Sequence, residues 1–294
     1  MLHKKYLPLG ISLVAILIVG LPRNAASQGT FVTLDFPLAG VTDTEAVGIN
    51  PSGVIVGRYV DSGHVTHGFV LENGTYTSID FPGAVGSGGT NPTWINANGT
   101  ITGTYGTSNG SNAFTLSKGV FTTIDYPGAT LTQGYGVSDS GIVVGPECSC
   151  GYVTARGFMY NHGGFTSINY PGAVGTFPTM LITPELIVGA YWDGSNYHGF
   201  YFSNGTFTKV DHPGSYFTWF TGLNPEGEMI GYYADGTGQH GLMYSIPTGT
   251  MVSVDVPIAG SSSTEVNGID PQGDIVGRYV SSDGHIHGYF WSAR

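Results

Sequence analysis

The chain contains 294 residues, of which 48 are glycine and 18 are tyrosine; 10% are charged, and the formal net charge at pH 7 is −11. This composition predicts tight turns and strands instead of helices, and the length is sufficient for one large all-β domain. The negative charge excludes nucleic acid and anionic membrane surfaces as expected partners, because both are negatively charged themselves.

The first segment has the features of a secretory signal peptide. Lys4 and Lys5 precede an apolar run over 7–21, and small residues follow at 24–27. The run is shorter than the roughly 20 residues that a membrane-spanning helix requires, and its charged start and small-residue end are typical of a cleavable leader. Residues 1–27 are therefore predicted to be removed. What remains is expected to be secreted or periplasmic, with no membrane insertion after signal removal.

The rest of the chain is a sequence repeat. The segment FVTLDFP at 31 recurs as YTSIDFP at 76, FTTIDYP at 121, FTSINYP at 165, FTKVDHP at 207 and MVSVDVP at 251. The stretch GRYVDSGHVTHGF at 57–69 likewise returns as GRYVSSDGHIHGY at 277–289. A strand-rich repeat with a period of about 44 residues is typical of a β-propeller blade.

One repeat contains four predicted strands. They are TEAVGIN (44–50), VIVGRYV (54–60), VTHGFVL (65–71) and YTSIDF (76–81), and Pro82 stops the last one because proline cannot donate to a strand ladder. The segment 31–36 is a fourth strand with no strands before it, whereas the chain ends on a third strand. The sequence therefore predicts an all-β, six-bladed β-propeller of four-stranded antiparallel blades over 28–294. Its ring is closed by the N-terminal strand pairing with the last blade, which removes open sheet edges.

The tripeptide HGF and its surroundings resemble the HAF-repeat family of exported bacterial proteins. The equivalent positions read His67-Gly68-Phe69, Asn112-Ala113-Phe114, Arg156-Gly157-Phe158, His198-Gly199-Phe200, His240-Gly241-Leu242 and His287-Gly288-Tyr289. The resemblance covers 31–294 and all six repeats. It implies a β-propeller and export, and it implies no particular activity.

Residues that recur in every repeat are interpreted as structural. The recurring histidines would lie in separate blades, too far apart to share one metal, so we interpret them as hydrogen-bonding posts between strands. Aspartate or asparagine before the strand-ending proline is interpreted as a turn cap, at Asp35, Asp80, Asp125, Asn169, Asp211 and Asp255. A glycine in each second strand is expected to let neighbouring blades approach closely, at Gly57, Gly103, Gly145, Gly189, Gly231 and Gly277.

Cys148 and Cys150 are separated by one residue. In an exported protein an even number of cysteines suggests a disulfide. A disulfide across a single intervening residue closes a tight ring that is often strained. The sequence therefore leaves open whether the two cysteines form a local disulfide or are free thiols.

Positions at which the repeats differ are the candidate ligand-binding residues. The start of the inner strand carries Glu45, Asn91, Gln133, Pro178, Trp219 and Glu265, which are expected to surround one mouth of a central channel. Nearby segments add Tyr59, Tyr279, His64 and His285. Carboxylates, amides and aromatic faces together suit a neutral polyol. The main hypothesis is therefore an exported, monomeric binding propeller for a polysaccharide or a cell-envelope component.

Several alternatives stay open for these residues. They could pack between blades without binding any ligand, or the protein could be purely structural in the envelope. Glu45 and Glu265 lie in adjacent blades once the ring closes, so they could hold Ca²⁺ or act in a metal-assisted hydrolase or lyase. Binding is favoured over catalysis because the sequence contains no singular catalytic motif; neither a catalytic residue nor a metal ligand is assigned, and the cofactor is unknown.

Overall fold

The computed structural model describes residues 29–149, 154–258 and 260–292. The predicted signal peptide and Cys150 lie outside the described residues. Within the three described ranges the regular elements are β-strands, as the composition predicts. No helix in these ranges is long and apolar enough to cross a bilayer.

The strands are grouped into four-stranded antiparallel units that follow the predicted repeat. Unit 1 contains β2 (Asp43–Ile49), β3 (Ile55–Val60), β4 (Thr66–Glu72) and β5 (Thr75–Ile79), after an initial strand β1 (Thr30–Leu34). Unit 2 contains β6 (Thr90–Ile95), β7 (Ile101–Thr107), β8 (Gly110–Ser117) and β9 (Val120–Ile124). Unit 3 contains β10 (Leu131–Thr132), β11 (Gly136–Val137), β12 (Val143–Cys148), β13 (Arg156–Asn161) and β14 (Gly164–Ile168), so two short strands stand in place of one inner strand.

The remaining units have the same order. Unit 4 contains β15 (Gly175–Thr183), β16 (Leu186–Trp192), β17 (Tyr197–Ser203) and β18 (Thr206–Val210). Unit 5 contains β19 (Phe217–Leu223), β20 (Glu228–Asp235), β21 (Gly238–Ser245) and β22 (Thr250–Val254). Unit 6 contains β23 (Ser263–Ile269), β24 (Ile275–Val280) and β25 (Ile286–Ser292).

Strand β1 lies in unit 6. It pairs antiparallel with β25, and Thr30 is opposite Ser292. It therefore takes the place that the fourth strand has in the other units. Phe31 is buried and stacks on Tyr289 with ring centroids 5.6 Å apart. The two ends of the described chain are thus held together by a strand ladder and by aromatic packing.

Single parallel pairs connect neighbouring units where a third strand begins beside the next inner strand. Such pairs join Ser111 to Leu131, Tyr197 to Phe217, Gln239 to Ser263, and Ile286 to Asp43. Through them the strands of units 4, 5, 6 and 1 form one 16-stranded sheet, and units 2 and 3 form a nine-stranded sheet. The units are therefore bonded to one another and are not the separate four-stranded sheets that the sequence suggests.

The third residue of the recurring tripeptide lies in the hydrophobic core of its unit. The side chains of Phe69, Phe114, Phe158, Phe200, Leu242 and Tyr289 are all at most 1% exposed. Burial of a large apolar side chain contributes about 1.5–3 kcal/mol to folding. The tripeptide recurs in the six repeats because its third residue fills the interior of each unit.

The recurring glycines of the second strands face their own inner strand. A Cβ on Gly57 would lie 2.1 Å from the carbonyl oxygen of Glu45 in the same unit. Contact with the next unit belongs instead to the tripeptide glycine, since a Cβ on Gly68 would lie 2.6 Å from Pro92 Cγ in unit 2. The expectation that the second-strand glycines serve the approach between blades is therefore corrected: they serve strand pairing within a unit.

Bulged residues of the inner strands link successive units. They donate side-chain hydrogen bonds to a backbone carbonyl in the next unit, which lies in the inner strand or, for Gly134, between β10 and β11. The bonds run from Thr93 to Gly134 at 2.7 Å, Thr179 to Phe220 at 2.8 Å, Thr221 to Val266 at 2.6 Å, and Asn267 to Ala46 at 3.2 Å. A bulge leaves its extra residue free of the strand ladder, so that side chain is available for a neighbouring strand. The bond from Asn267 links unit 6 to unit 1.

The inner strands converge at the end opposite to the predicted mouth. Residues at or near their ends, Ile49, Ile95, Val137, Leu181, Leu223 and Ile269, line one cavity of about 80 Å³. These residues are equivalent in the repeat, since each pairs with the first or second residue of the following strand. The cavity is therefore enclosed by one inner strand from every unit.

Candidate functional site

The start of each inner strand places one residue at an equivalent position. Its carbonyl oxygen is the atom that a Cβ on the second-strand glycine would meet, at 1.8–2.4 Å. By this criterion the equivalent residues are Glu45, Asn91, Gln133, Phe177, Trp219 and Glu265. Phe177, and not Pro178, is the member from unit 4. The segment TFPT at 176–179 corresponds to TNPT at 90–93, so Pro178 is equivalent to Pro92 and Phe177 to Asn91.

Three of these residues belong to a continuous polar network that we call the charged belt: Gln239, Glu265, Arg278, Glu45, Arg58 and Asn91. Arg278 donates Nε to Glu265 Oε2 at 2.7 Å and Nη1 to Glu45 Oε1 at 3.2 Å. Arg58 donates Nη1 to Asn91 Oδ1 at 2.8 Å and Nη2 to Glu45 Oε2. Gln239 Nε2 donates to Glu265 Oε1. The belt therefore connects units 5, 6, 1 and 2.

The two carboxylates lie beneath the two arginines. The side chains of Glu45 and Glu265 are 10% and 9% exposed, whereas those of Arg58 and Arg278 are 31% and 25% exposed. Burial disfavours the charged guanidinium of Arg278, but the hydrogen bond to Glu265 and the charges of both glutamates outweigh burial and raise the pKa of Arg278. Arg278 is thus held in its charged form, and the two arginine side chains of the belt are more exposed than the two glutamate side chains.

A second group of residues, the aromatic cluster, lies in units 4 and 5: Phe177, Trp192, Tyr197, Phe217, Trp219 and Tyr232. Tyr197 contacts Trp192 at 4.7 Å, Phe217 at 5.2 Å and Trp219 at 5.6 Å between ring centroids. Phe177 is fully buried beneath Trp219, 5.2 Å away, whereas the other five side chains are half-buried. The cluster therefore exposes aromatic rings on a buried support.

The charged belt and the aromatic cluster adjoin at Tyr232. Tyr232 is opposite Trp219 in the β19–β20 ladder and stacks on Phe217 at 5.5 Å. It is also close enough to Arg278 to contribute to the raised pKa of that guanidinium. Half-exposed aromatic rings and ionised hydrogen-bonding groups are therefore neighbours on one part of the surface.

Other predicted site residues lie elsewhere. Tyr59 and Tyr279 are each 5% exposed and stack on the tripeptide histidines His67 and His287, at 5.0 and 5.2 Å. Their hydroxyls bond to Ser78 and Thr33 in the outermost strands. These two tyrosines are packed within their units, so a ligand at the belt would not reach their rings.

The remaining three predicted residues are more accessible. His64 is exposed in the β3–β4 turn, where it has a positive φ of 59°. His285 is exposed in the equivalent turn of unit 6, and its Nδ1 lies 3.1 Å from the carbonyl oxygen of Thr42. Gln133 is half-buried and accepts a hydrogen bond from the Tyr135 hydroxyl at 3.1 Å. None of the three has a described hydrogen bond to the charged belt.

The recurring histidines bridge the third and fourth strands through the recurring aspartates. His67 Nδ1 lies 2.9 Å from Asp80, and the same bond links His198 to Asp211, His240 to Asp255 and His287 to Asp35. The interpretation of the histidines as posts between strands therefore agrees with the structure. The interpretation of the aspartates as turn caps is corrected, because their carboxylates bond mainly to these histidines. Asp211 also accepts a hydrogen bond from the backbone N–H of Gly199.

The protonation state of His67 follows from its two partners. Nδ1 faces Asp80 and Nε2 faces Asp61 at 3.2 Å, and ionised carboxylates only accept hydrogen bonds. Both ring nitrogens therefore donate. Burial lowers the pKa of His67, but the hydrogen bonds to the two aspartates outweigh burial and raise it. The backbone N–H of Val65 and then His67 hold the pKa of Asp61 below its ordinary value.

One of these posts resembles a catalytic triad in its contacts. Ser281 Oγ lies 3.1 Å from His287 Nε2, and His287 Nδ1 lies 2.8 Å from Asp35. However, the Ser281 hydroxyl is directed to Asp283 and to the carbonyl oxygen of His285, so its hydrogen is not given to the histidine. In units 1 and 4 an aspartate replaces the serine. The arrangement is therefore the structural post of this repeat and not an activated nucleophile.

The geometry does not favour a cation between Glu45 and Glu265. All four carboxylate oxygens accept from Arg58, Arg278 or Gln239. A bound Ca²⁺ would have to displace guanidinium groups from oxygens that it needs as ligands. In residues 29–149, 154–258 and 260–292 there is no group of three histidine, cysteine or acidic side chains placed to bind a metal. A carboxylate engaged in this way is also unsuited to serve as a general base.

Sequence reasoning missed Arg58, Arg278 and Gln239, and it missed Phe177, Tyr197 and Tyr232 of the aromatic cluster. A signal for the arginines was present: GRYV occurs at 57–60 and 277–280, in the two repeats whose inner strand begins with glutamate. Antiparallel pairing places Glu45 opposite Arg58 and Glu265 opposite Arg278. Opposite charges across a ladder are a recognised stabilising pair.

No protein-family model and no curated protein matches the chain. Solved structures do match it. A selenomethionine-substituted virginiamycin B lyase from Staphylococcus aureus is 11% identical with a TM-score of 0.51, covering 88% of each chain. A putative TolB from Agrobacterium tumefaciens is 10% identical with a TM-score of 0.57, covering 85% of this chain and 90% of that one.

A fucose-specific lectin from Aleuria aurantia is 11% identical with a TM-score of 0.54, covering 85% of this chain and 94% of that one. At these identities the likeness extends to the fold alone. Together with the strand order of the units, it identifies the fold as a β-propeller.

Proposed function

We propose that this protein is an exported, six-bladed β-propeller that binds a carbohydrate at the mouth where the inner strands begin. In this proposal the six units are blades of one ring, which β1 closes by completing unit 6. The β1–β25 ladder, the bond from Asn267 to Ala46 and the single cavity lined by all the inner strands support the closed ring.

One observation carries the binding function: the aromatic cluster adjoins the charged belt. A sugar ring has an apolar face that stacks on aromatic side chains and hydroxyls that need directed hydrogen bonds. Trp219 and Tyr232 would provide the stacking surface, while Arg278 and Gln239 would provide donors. Solved relatives in fold include a lectin described as fucose-specific. That likeness supports the choice of ligand class without identifying the sugar.

Trp219 provides a direct test of carbohydrate binding. We expect the exported protein to bind at least one glycan on an array of plant, fungal and bacterial oligosaccharides, and Trp219→Ala to weaken that binding at least about tenfold, which corresponds to about 1.4 kcal/mol. Trp219→Phe is the matched control, because it keeps an aromatic face and should retain most of the affinity. Thermal unfolding of the three proteins separates lost binding from lost folding. Absence of any bound glycan would contradict the function.

Export is part of the proposal, as is the absence of membrane insertion. The leader predicted over 1–27 and the resemblance to exported HAF-repeat proteins support a periplasmic or secreted location. Mass spectrometry of the protein recovered from periplasmic and culture fractions should give an N-terminus within one or two residues of Gln28. A protein that retains Met1 would contradict this part. The proposal includes a monomer, which light scattering of the same sample tests.

A further inference from the structure

The exposed groups of the charged belt are hydrogen-bond donors. The four oxygens of Glu45 and Glu265 are all occupied by N–H groups of the belt. A guanidinium has five N–H groups, and the bonds described use three of Arg278 and two of Arg58. The unused N–H groups belong to side chains that are more exposed than the two glutamates. A ligand there must therefore bring acceptors.

The charge distribution favours an acceptor with negative charge. The belt contains two glutamates and two arginines and is neutral in sum, but its carboxylates are about 10% exposed and its guanidiniums 25–31% exposed. A group approaching from solvent meets the positive charge first, and the Coulomb interaction grows as distance falls. The glutamates also hold the guanidiniums in fixed orientations, so little side-chain freedom is lost on binding.

The rest of the molecule makes this concentration of positive charge unusual. The chain has a formal net charge of −11, and the described residues include two lysines and three arginines. Two of those arginines are in the belt. The third, Arg156, is 70% exposed and pairs with Glu147 in unit 3. An acidic protein would otherwise repel anions, so exposed, preorganised arginines beside an aromatic surface point to a particular ligand group.

We propose that the ligand is an acidic sugar, in which a ring carboxylate binds Arg58 and Arg278 while the ring stacks on Trp219 and Tyr232. Arginine and carboxylate match as paired, parallel hydrogen bonds, which are stronger than neutral ones. This inference rests on the proposed carbohydrate-binding function and adds the class of sugar. It replaces the neutral polyol that the side-chain types alone suggest.

The test compares matched pairs of oligosaccharides that differ only in the carboxylate: glucose and glucuronate, galactose and galacturonate, and mannose and mannuronate trimers. Binding of the exported protein is measured by calorimetry in 50 mM and 500 mM NaCl. For at least one pair we expect the acidic trimer to bind at least about tenfold more tightly in low salt. The ratio should fall to about threefold or less in high salt, because salt screens exposed charges.

Two variants with the same change of charge localise the effect. Arg58→Gln should remove most of the preference for the acidic trimer, whereas Arg156→Gln, outside the belt, should leave it within about twofold of the wild type. Arg58→Lys keeps the charge but loses the planar pair of guanidinium donors. Its preference for the acidic trimer should therefore lie between those of the wild type and Arg58→Gln. Thermal unfolding checks that each variant is folded.

The outcomes separate the two proposals. If neutral and acidic trimers bind equally, or if Arg156→Gln removes the preference as fully as Arg58→Gln does, the acidic-sugar inference is wrong while carbohydrate binding stands. If no trimer and no arrayed glycan binds, both fail.

Discussion

The charged belt and the aromatic cluster each contain residues from one equivalent position of the repeat, in different units. At the start of the inner strand, units 1 and 6 carry Glu45 and Glu265, whereas units 4 and 5 carry Phe177 and Trp219. In both regions the glycine of the second strand and the core residue of the tripeptide are equivalent. The repeated residues therefore fix the backbone, and the side chain of the inner-strand residue whose carbonyl faces the glycine can change without altering the fold.

The two regions should respond differently to the loss of one side chain, and Arg278→Ala should give the largest effect. The change leaves the buried carboxylate of Glu265 without its main partner, and removing one member of a buried ion pair costs about 3–5 kcal/mol. Urea unfolding measures the free energy of unfolding. Lys209→Ala removes a 46% exposed lysine from Asp211, which is itself 26% exposed, and should cost less than about 1 kcal/mol. Equal costs for the two variants would mean that the belt does not contribute to stability as described.

A double variant sharpens this result. Arg278→Met combined with Glu265→Leu removes both charges and fills similar volume, so it should recover at least half of the stability lost in Arg278→Ala. Glu45 keeps Arg58 as a partner in that protein. No recovery would indicate that Arg278 is needed for packing more than for charge.

In the aromatic cluster, Phe177→Leu should cost about 1–2 kcal/mol because it leaves a small cavity under Trp219. The free energy of unfolding of this variant, relative to wild type, should not depend on salt between 50 and 500 mM NaCl, since no charge changes. The same urea titration in the two salt concentrations measures both quantities. A salt-dependent difference would contradict the separation of the two regions.

The linkage between units is common to both regions and should have an intermediate effect. Thr221→Val removes the hydroxyl that donates to Val266 and leaves that carbonyl oxygen without this partner, at a cost of about 1–2 kcal/mol. Thr221→Ser keeps the hydroxyl and is the matched control. Urea unfolding of both variants measures the difference. If the serine variant were as unstable as the valine variant, the methyl group and not the bond would be responsible.

The histidine posts should have the smallest effect, and it should depend on pH. The pKa of His67 is raised above 6.5 in the folded protein. Its bonds to Asp61 and Asp80 therefore stabilise the fold fully below pH 6.5, and this contribution is lost as the pH rises through the folded pKa. His67→Gln should lower the free energy of unfolding by less than about 1 kcal/mol at pH 5.5, after solvent screening, and by less again at pH 8.5.

The matched control for that pH dependence is unit 2, in which Asn112 stands in place of the histidine. Asn112→Gln should change the free energy of unfolding equally at pH 5.5 and 8.5. A difference between wild type and His67→Gln that grew with rising pH would contradict the assignment of a doubly protonated ring.

Much of the fold could be predicted from the sequence because the same pattern of strands and turns recurs in each repeat. The all-β class, the four-strand order of a unit and the pairing of 31–36 with the last strand all follow from the period and from strand-ending prolines such as Pro82. The single parallel pairs between units could not be read from the chain, because they depend on where a third strand begins in space. The split inner strand of unit 3 was also missed.

The candidate site was harder to predict because its chemistry depends on pairing across strands. Glu45, Asn91 and Glu265 do come together, and Trp219 lies in the neighbouring cluster. The arginines that bind the carboxylates are not evident from the sequence alone, because each becomes a partner of a glutamate only through the pairing of two strands. Tyr59 and Tyr279 were placed near the mouth by sequence position, whereas their side chains point into their own units to stack on histidine.

The pairing of β1 with β25 makes the order of synthesis important. Strand β1 leaves the ribosome before the other described strands, and its partner β25, which ends at Ser292, follows all of them. Until then the backbone N–H and C=O groups of β1 have no ladder, and unit 6 has an open edge that another chain could join. Contacts so distant in sequence also form slowly. A chain shortened by its last ten residues would therefore lose the partner of strand β1, and its failure would appear as aggregation during folding and not as a local defect near Ser292.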